Sequence, residues 1–158
     1  MREATGSSML LYIVVVIVGI IILLFVTIIS YAKAYGAKDK IITALETHEE
    51  YVNEKNNPAK LEIDENLRQM GYTITHNDYC SNQRVKNHLK EIGLSGATNL
   101  NDSTSGHYNY CIYKVNTIDS GYYYVVVTFI SYNVPIVGNL LLFPVYGETK
   151  VIGRQFDY

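Results

Sequence analysis

The sequence predicts an α+β protein built from a long N-terminal transmembrane helix, two short helices and a three- or four-stranded antiparallel sheet. Three observations predict it. Met9 to Ser30 holds seventeen Leu, Ile, Val or Phe among 22 residues and no charge. Two later segments space their apolar residues three and four apart, as one helix face requires. The last third switches to β-branched and aromatic runs broken by turn residues, the pattern of strands. Of the 158 residues, those after the apolar run carry 14 of the 15 acidic and 12 of the 13 basic ones. That remainder is enough for one small domain and too little for two. It argues against a freely soluble cytosolic enzyme and a multi-span transporter. A net charge of −2 also argues against a nucleic-acid partner, since nothing would neutralise phosphates.

Taken in order, residues 1–8 read as a short cytoplasmic leader and 9–31 as the transmembrane helix. At about 1.5 Å per residue the 22-residue run spans roughly 33 Å, the thickness of a bilayer core. Its apolar side chains together favour insertion by roughly 5 to 10 kcal/mol. Membrane lipid is therefore the first expected partner. Ala32-Lys33-Ala34 has the small-x-small form of a signal-peptide cleavage site, but the apolar run is longer than a signal core. Lys33, Lys38 and Lys40 follow the span and only Arg2 precedes it, which by count favours a cytoplasmic domain. One cysteine pair, and 15 tyrosines without tryptophan, favour the opposite: a single-pass cell-membrane protein with its N-terminus cytoplasmic and its domain extracytoplasmic. The second topology is the expected one.

Residues 32–55 read as an amphipathic helix continuing from the membrane, with Ala37, Ile41, Ala44, Leu45, His48 and Val52 on one stripe. Glu46, Glu49, Glu50 and Glu54 fall on its other faces and read as solvated. Residues 56–158 form the exported α+β domain. Asn57 and Pro58 are a cap and first-turn pair for a helix striped by Ile63, Leu67 and Met70 and stopped at Gly71. Tyr72 to His76 alternates as a short strand. Ser81 or Asn82 caps a third helix carrying Val85, Leu89 and Ile92, with Gly93 as its stop. Leu94 to Gly106 reads as a surface loop. His107 to Val115 and Tyr122 to Tyr132 predict a hairpin, and Phe143 to Ile152 a further strand. Between them Ile136 to Leu142 is too short to span a membrane and reads as a loop or helical turn. Pro144 sits near the start of the last strand, where a missing N–H is tolerated.

Two His-x3-Cys pairs stand out, His76 with Cys80 and His107 with Cys111. Together they offer four ligands for a tetrahedral zinc. On a strand, however, residues four apart lie roughly 13 Å from each other, whereas zinc needs each ligand within about 2.3 Å. A disulfide between Cys80 and Cys111 suits an exported domain better and should stabilise it by roughly 3 to 4 kcal/mol. A thiol enzyme with Cys111 as nucleophile and His107 or His88 as base meets the same strand geometry. No Gly-x-Ser-x-Gly, His-Glu-x-x-His, Gly-x-Gly-x-x-Gly or P-loop spacing occurs, so no enzymatic activity and no cofactor are expected. Tyr108, Tyr110, Tyr122 and Tyr124 offer a weaker reading, an exposed tyrosine face for a ligand or partner, against a sheet face covered by helices.

In its ending, Tyr122-Tyr123-Tyr124-Val125-Val126-Val127-Thr128, Val134-Pro135-Ile136-Val137-Gly138 and Val145-Tyr146-Gly147-Glu148-Thr149-Lys150, and in its leader, apolar helix and α+β domain, the chain resembles the TadE-like minor pilins. These are pseudopilin relatives of bacterial tight-adherence (type IV) pilus and secretion systems. The resemblance implies a non-enzymatic accessory subunit of a pilus or secretion filament, partnered by other pilin-like subunits or secretion-system membrane proteins. It also implies peptidase cleavage between Gly6 and Ser7, with Tyr12 as the aromatic that follows. Leu11 stands where such pilins carry glutamate, and no carboxylate occurs between Ser7 and Asp39. A freed amine on a neighbouring subunit would find no counter-charge here, which suits an accessory or tip-like subunit, or an unprocessed membrane component, better than the bulk pilin.

Overall fold

The computed structural model describes residues 2–52, 54, 56–72, 80, 83–94, 97–100, 110–118, 121–131 and 142–153, with side chains from residue 9 onward except those of 131 and 142. A single helix, α1 (Arg2–His48), dominates it. Two shorter helices, α2 (Pro58–Gln69) and α3 (Gln83–Glu91), precede a four-stranded sheet of β1 (Thr98–Asn99), β2 (Tyr110–Asn116), β3 (Tyr122–Ser131) and β4 (Leu142–Glu148). The strands run antiparallel in sequence order. Of the expected elements, the strand beyond Tyr72, the caps Ser81 and Asn82, and residues 136–141 lie outside the described residues.

The C-terminal half of α1 closes the core. Ala34, Ala37, Ile41, Ala44 and Leu45 are fully buried, four of them on the predicted stripe. The alanines admit the sheet closely: the Thr128 hydroxyl donates to the Ala34 carbonyl at 2.9 Å. Gly147 on β4 does the same from its side, because a Cβ there would stand 2.7 Å from Lys38 Cδ and 2.8 Å from Ile42 Cδ1.

The helix stops at His48, short of the expected boundary at residue 55, and Val52 lies beyond it, 40% exposed. Glu49 takes a left-handed conformation, φ +59°. The Tyr122 and Tyr124 hydroxyls donate to its carbonyl at 2.8 and 3.4 Å, and Tyr124 also accepts from the Tyr51 N–H. Those tyrosines satisfy groups that another helical turn would have used. His48 turns to Glu62 of α2, 2.8 Å away.

The short helices follow their local signals. Asn57 caps α2 by accepting from the Lys60 N–H. Gly71, at φ +60°, ends it while the Tyr72 N–H reaches back to the Leu67 carbonyl. Gly93, at φ +79°, ends α3 in the same way through Leu94 N–H and Leu89 O. Ala59, Ile63 and Leu67 of α2 and Val85 and Leu89 of α3 are buried, whereas Ile92 falls past the end of α3 and is exposed.

Register assigns the sheet's two faces. Tyr110, Ile112, Tyr124, Val126 and Thr128 share the α1 face, since Tyr110 pairs with Thr128 and Ile112 with Val126. Cys111, Tyr113, Val125 and Val127 take the opposite face, where Cys80 and α3 lie. There His88 of α3 stacks on Tyr146 of β4 at 4.0 Å. Both faces are buried at the centre, so β3 from Tyr124 to Ile130 is apolar without alternation apart from Thr128. The loop expected at residues 94–106 contains β1, which pairs Thr98 and Asn99 with Lys114 and Tyr113.

The last strand, expected to run to Ile152, pairs regularly only to Glu148. Thr149 faces Tyr124, but Ile152 rather than residue 151 faces Tyr122, so one extra residue bulges from the chain. The Lys150 N–H released there donates to Glu46 of α1 at 2.8 Å. Counting by two from Tyr124 and Thr149, Pro144 falls where β4 points its backbone outward. Its missing N–H removes one donor from that edge, as the sequence predicts.

Candidate functional site

The feature with the largest physical consequence is the first half of α1. From Met9 to Ile29 its large apolar side chains are 43–70% exposed, on every side of the helix. Each would gain about 1.5 to 3 kcal/mol from full burial, and seventeen of them outweigh the 5 to 15 kcal/mol that ordinarily holds a whole domain together. Water is the wrong solvent for this segment. Among the described residues it is the one helix long and apolar enough to cross a membrane. Gly19 has open space around it, as a close helix contact would need. Gly6 and Ser7 lie within α1, so a peptidase acting between them would first have to unwind the helix.

Cys80 and Cys111 are joined as a disulfide with Cα atoms 5.6 Å apart. It ties the turn before α3 to the first residues of β2, and Tyr113 reinforces the tie by donating to the Cys80 carbonyl at 3.3 Å. Both sulfurs being committed, neither serves as zinc ligand or nucleophile in this state. His76 and His107 lie outside the described residues. No group of three His, Cys, Asp or Glu side chains able to hold a metal occurs among the described residues. His88, the alternative base, packs on Tyr146 and sits 3.7 Å from Glu91.

Of the two readings of the tyrosines, burial overturns the weaker one, the exposed face, at Tyr110 and Tyr124. Tyr110 and Tyr124 are 2% and 1% exposed, so neither can present its ring to a ligand; Tyr108 lies outside the described residues. Tyr122 is half-buried, edge-on to Tyr124 at 5.5 Å and under the Lys114 ammonium at 3.9 Å. These rings serve the core because β2 and β3 are covered on both sides.

Their titration follows from that burial. It pushes Tyr51 and Tyr124 up to about 12, partly offset at Tyr51 by its bond with Tyr110 and at Tyr124 by the Tyr51 N–H. Tyr110 is held well above its ordinary value, by burial first and then by Tyr51 and Asp64 nearby. Burial also raises Tyr72, whose hydroxyl bonds both the N–H and the carbonyl of Phe129 and so completes the edge of β3 beyond the end of β2.

Two arrangements escape a reading of the sequence. Glu46 belongs to an acidic run that reads as solvated, yet its carboxylate holds the Lys150 N–H and lies 3.8 Å from the Lys150 ammonium. A cavity of about 320 Å³ opens between α3 and β1–β2, walled by Cys80, Leu89, Leu94 and Tyr113, with the exposed Lys86 and Lys90 also lining it. The one local signal for it is the i, i+4 spacing of the two lysines. Compared with family models, curated proteins and solved structures, the chain matches none.

Proposed function

We propose that this chain is a non-enzymatic, single-pass membrane subunit of the TadE-like minor-pilin kind, with its N-terminus cytoplasmic and its domain extracytoplasmic. It contributes to assembly of a type IV or Tad pilus, or a related secretion filament, by association without turnover. One observation carries the reading: a single uninterrupted helix is apolar and uncovered over its first half and is the spine of the disulfide-tied domain over its second. Such a rod suits lateral packing against other pilin-like subunits, first in the bilayer and then in a filament. The disulfide supports export, because thiols of this kind stay reduced in the cytosol.

A C-terminal epitope on intact cells tests the topology: external protease should remove it, and a protected epitope defeats the proposal. Mass spectrometry of the amino end then distinguishes a processed subunit beginning at Ser7 from an uncut one beginning at Met1. Because no free cysteine occurs among the described residues, Gly19→Cys reports helix neighbours by oxidative cross-linking. A second pilin-like subunit captured there supports the filament reading.

The cavity beside Lys86 and Lys90 favours one further reading, a membrane-tethered extracytoplasmic ligand-binding or sensory module. The genes flanking this chain's own discriminate: a secretion ATPase and prepilin peptidase support assembly, a kinase or transporter supports sensing.

A further inference from the structure

The direction of β3 along α1 determines which end of the domain meets the membrane. Tyr122 and Tyr124 reach Glu49, the residue just past the end of α1. Gly147, paired with Val126, sits against Lys38 and Ile42. Thr128 reaches α1 at Ala34. β3 therefore runs back along the helix toward its apolar half.

The distances carry it to the boundary. Ala34 is four residues past Ser30, roughly 6 Å along a helix. Ser131 is three residues past Thr128, about 10 Å of strand in the returning direction. Ser131 and its partner Leu142 thus come level with the last turn of the apolar run. Phe143, the next residue of β4, is 47% exposed at that end. Tyr31 and Tyr35 of α1 are 49% and 37% exposed there, and Lys33 extends to the Gly71 carbonyl at 3.4 Å. Aromatic rings and lysine stems are the side chains that a bilayer's interfacial zone favours. In sequence, residues 132–141, which join β3 to β4, carry no charge.

We propose that the β3–β4 end of the sheet seats in the headgroup layer of the bilayer that holds α1, giving the domain a second lipid contact through Phe143. This rests on the membrane reading of α1. A domain hung on one helix can tilt freely, whereas one that also touches lipid at its sheet end is held in a single orientation. The opposite end, where Ile118 is fully exposed just after β2, faces away from the membrane.

The chain has no tryptophan, so single replacements are clean reporters. Full-length Phe25→Trp, Phe143→Trp and Ile118→Trp proteins are reconstituted in phosphatidylcholine vesicles with lipids brominated high on the acyl chains, and folding is checked by circular dichroism. All three sites are exposed, so the replacements should be accommodated. The expected result is strong quenching at position 25, at least twofold quenching with a blue-shifted emission at 143, and none at 118. Equal, unquenched emission at 143 and 118 with position 25 quenched overturns the seating and leaves the anchor standing. Loss of quenching at position 25 overturns the anchor, and the seating with it.

Discussion

Residues 9–29 and 34–45 belong to one helix and meet opposite fates. The first stretch has large apolar side chains on every side and buries none within the chain. The second places Ala34, Ala37, Ile41, Ala44 and Leu45 on one face, fully buried, and leaves Asp39 and Lys40 exposed on others. Helicity is the same in both. What differs is how much of the circumference is apolar, and that decides whether one face packed on the protein's own sheet is enough or apolar surroundings are needed on every side. Small residues matter too: alanine at 34, 37 and 44 lets β3 come within hydrogen-bonding reach of the helix backbone, an approach that bulky residues of the first stretch would prevent.

Paired substitutions break or sharpen this contrast. Ile41→Ala should cost the domain about 2 to 5 kcal/mol by opening a cavity, while Ile17→Ala should leave its unfolding within about 0.5 kcal/mol. Denaturation of both variants in detergent checks this, and equal losses would erase the distinction. Next in size, replacing Cys80 and Cys111 together by alanine should remove roughly 3 to 4 kcal/mol from the domain. Limited proteolysis in membranes should then degrade the domain and spare a fragment containing the apolar run.

Alkaline pH acts on the domain through its buried tyrosines. Tyr51, Tyr72, Tyr110 and Tyr124 all have raised values in the folded state, so it binds more protons than the unfolded chain above pH about 10. Their contribution is fully present below pH about 10 and falls from there toward 12, by about 1.4 kcal/mol per pH unit for each such tyrosine. Tyrosinate absorbance should therefore rise for these rings together with loss of circular dichroism; their titration without unfolding would contradict the burial. The smallest effect is expected at the end of the buried half, where Glu49→Gly relieves left-handed strain and should raise domain stability by up to about 1 kcal/mol in thermal melts.

Much of the fold is legible locally. Asn57 and Pro58 start α2, Gly71 and Gly93 stop α2 and α3, and the β-branched runs around residues 116–121 make the hairpin, because each signal acts on backbone within about four residues of itself. The tyrosines are the counter-case. Tyr110 and Tyr122 read alike in sequence and share the α1 face, but Tyr110 is in the core and Tyr122, level with Glu49 just past the end of α1, is half-covered, since burial depends on how far the covering elements reach. The Cys80–Cys111 pairing was readable because two cysteines allow one intramolecular bridge; the cavity beside it was not, since its walls come from three elements.

Taken alone, the sequence determined an uncharged apolar rod, the starts and stops of the short helices, and the strand-rich final third, because these depend on composition and near neighbours. Tertiary structure decided where α1 ends, what Glu46 holds, which tyrosines become core, and which end of the sheet lies beside the apolar run. Those outcomes rest on contacts between residues 73 to 104 positions apart, at Glu49, Ala34 and Lys150, and only the folded chain brings such residues within hydrogen-bonding distance.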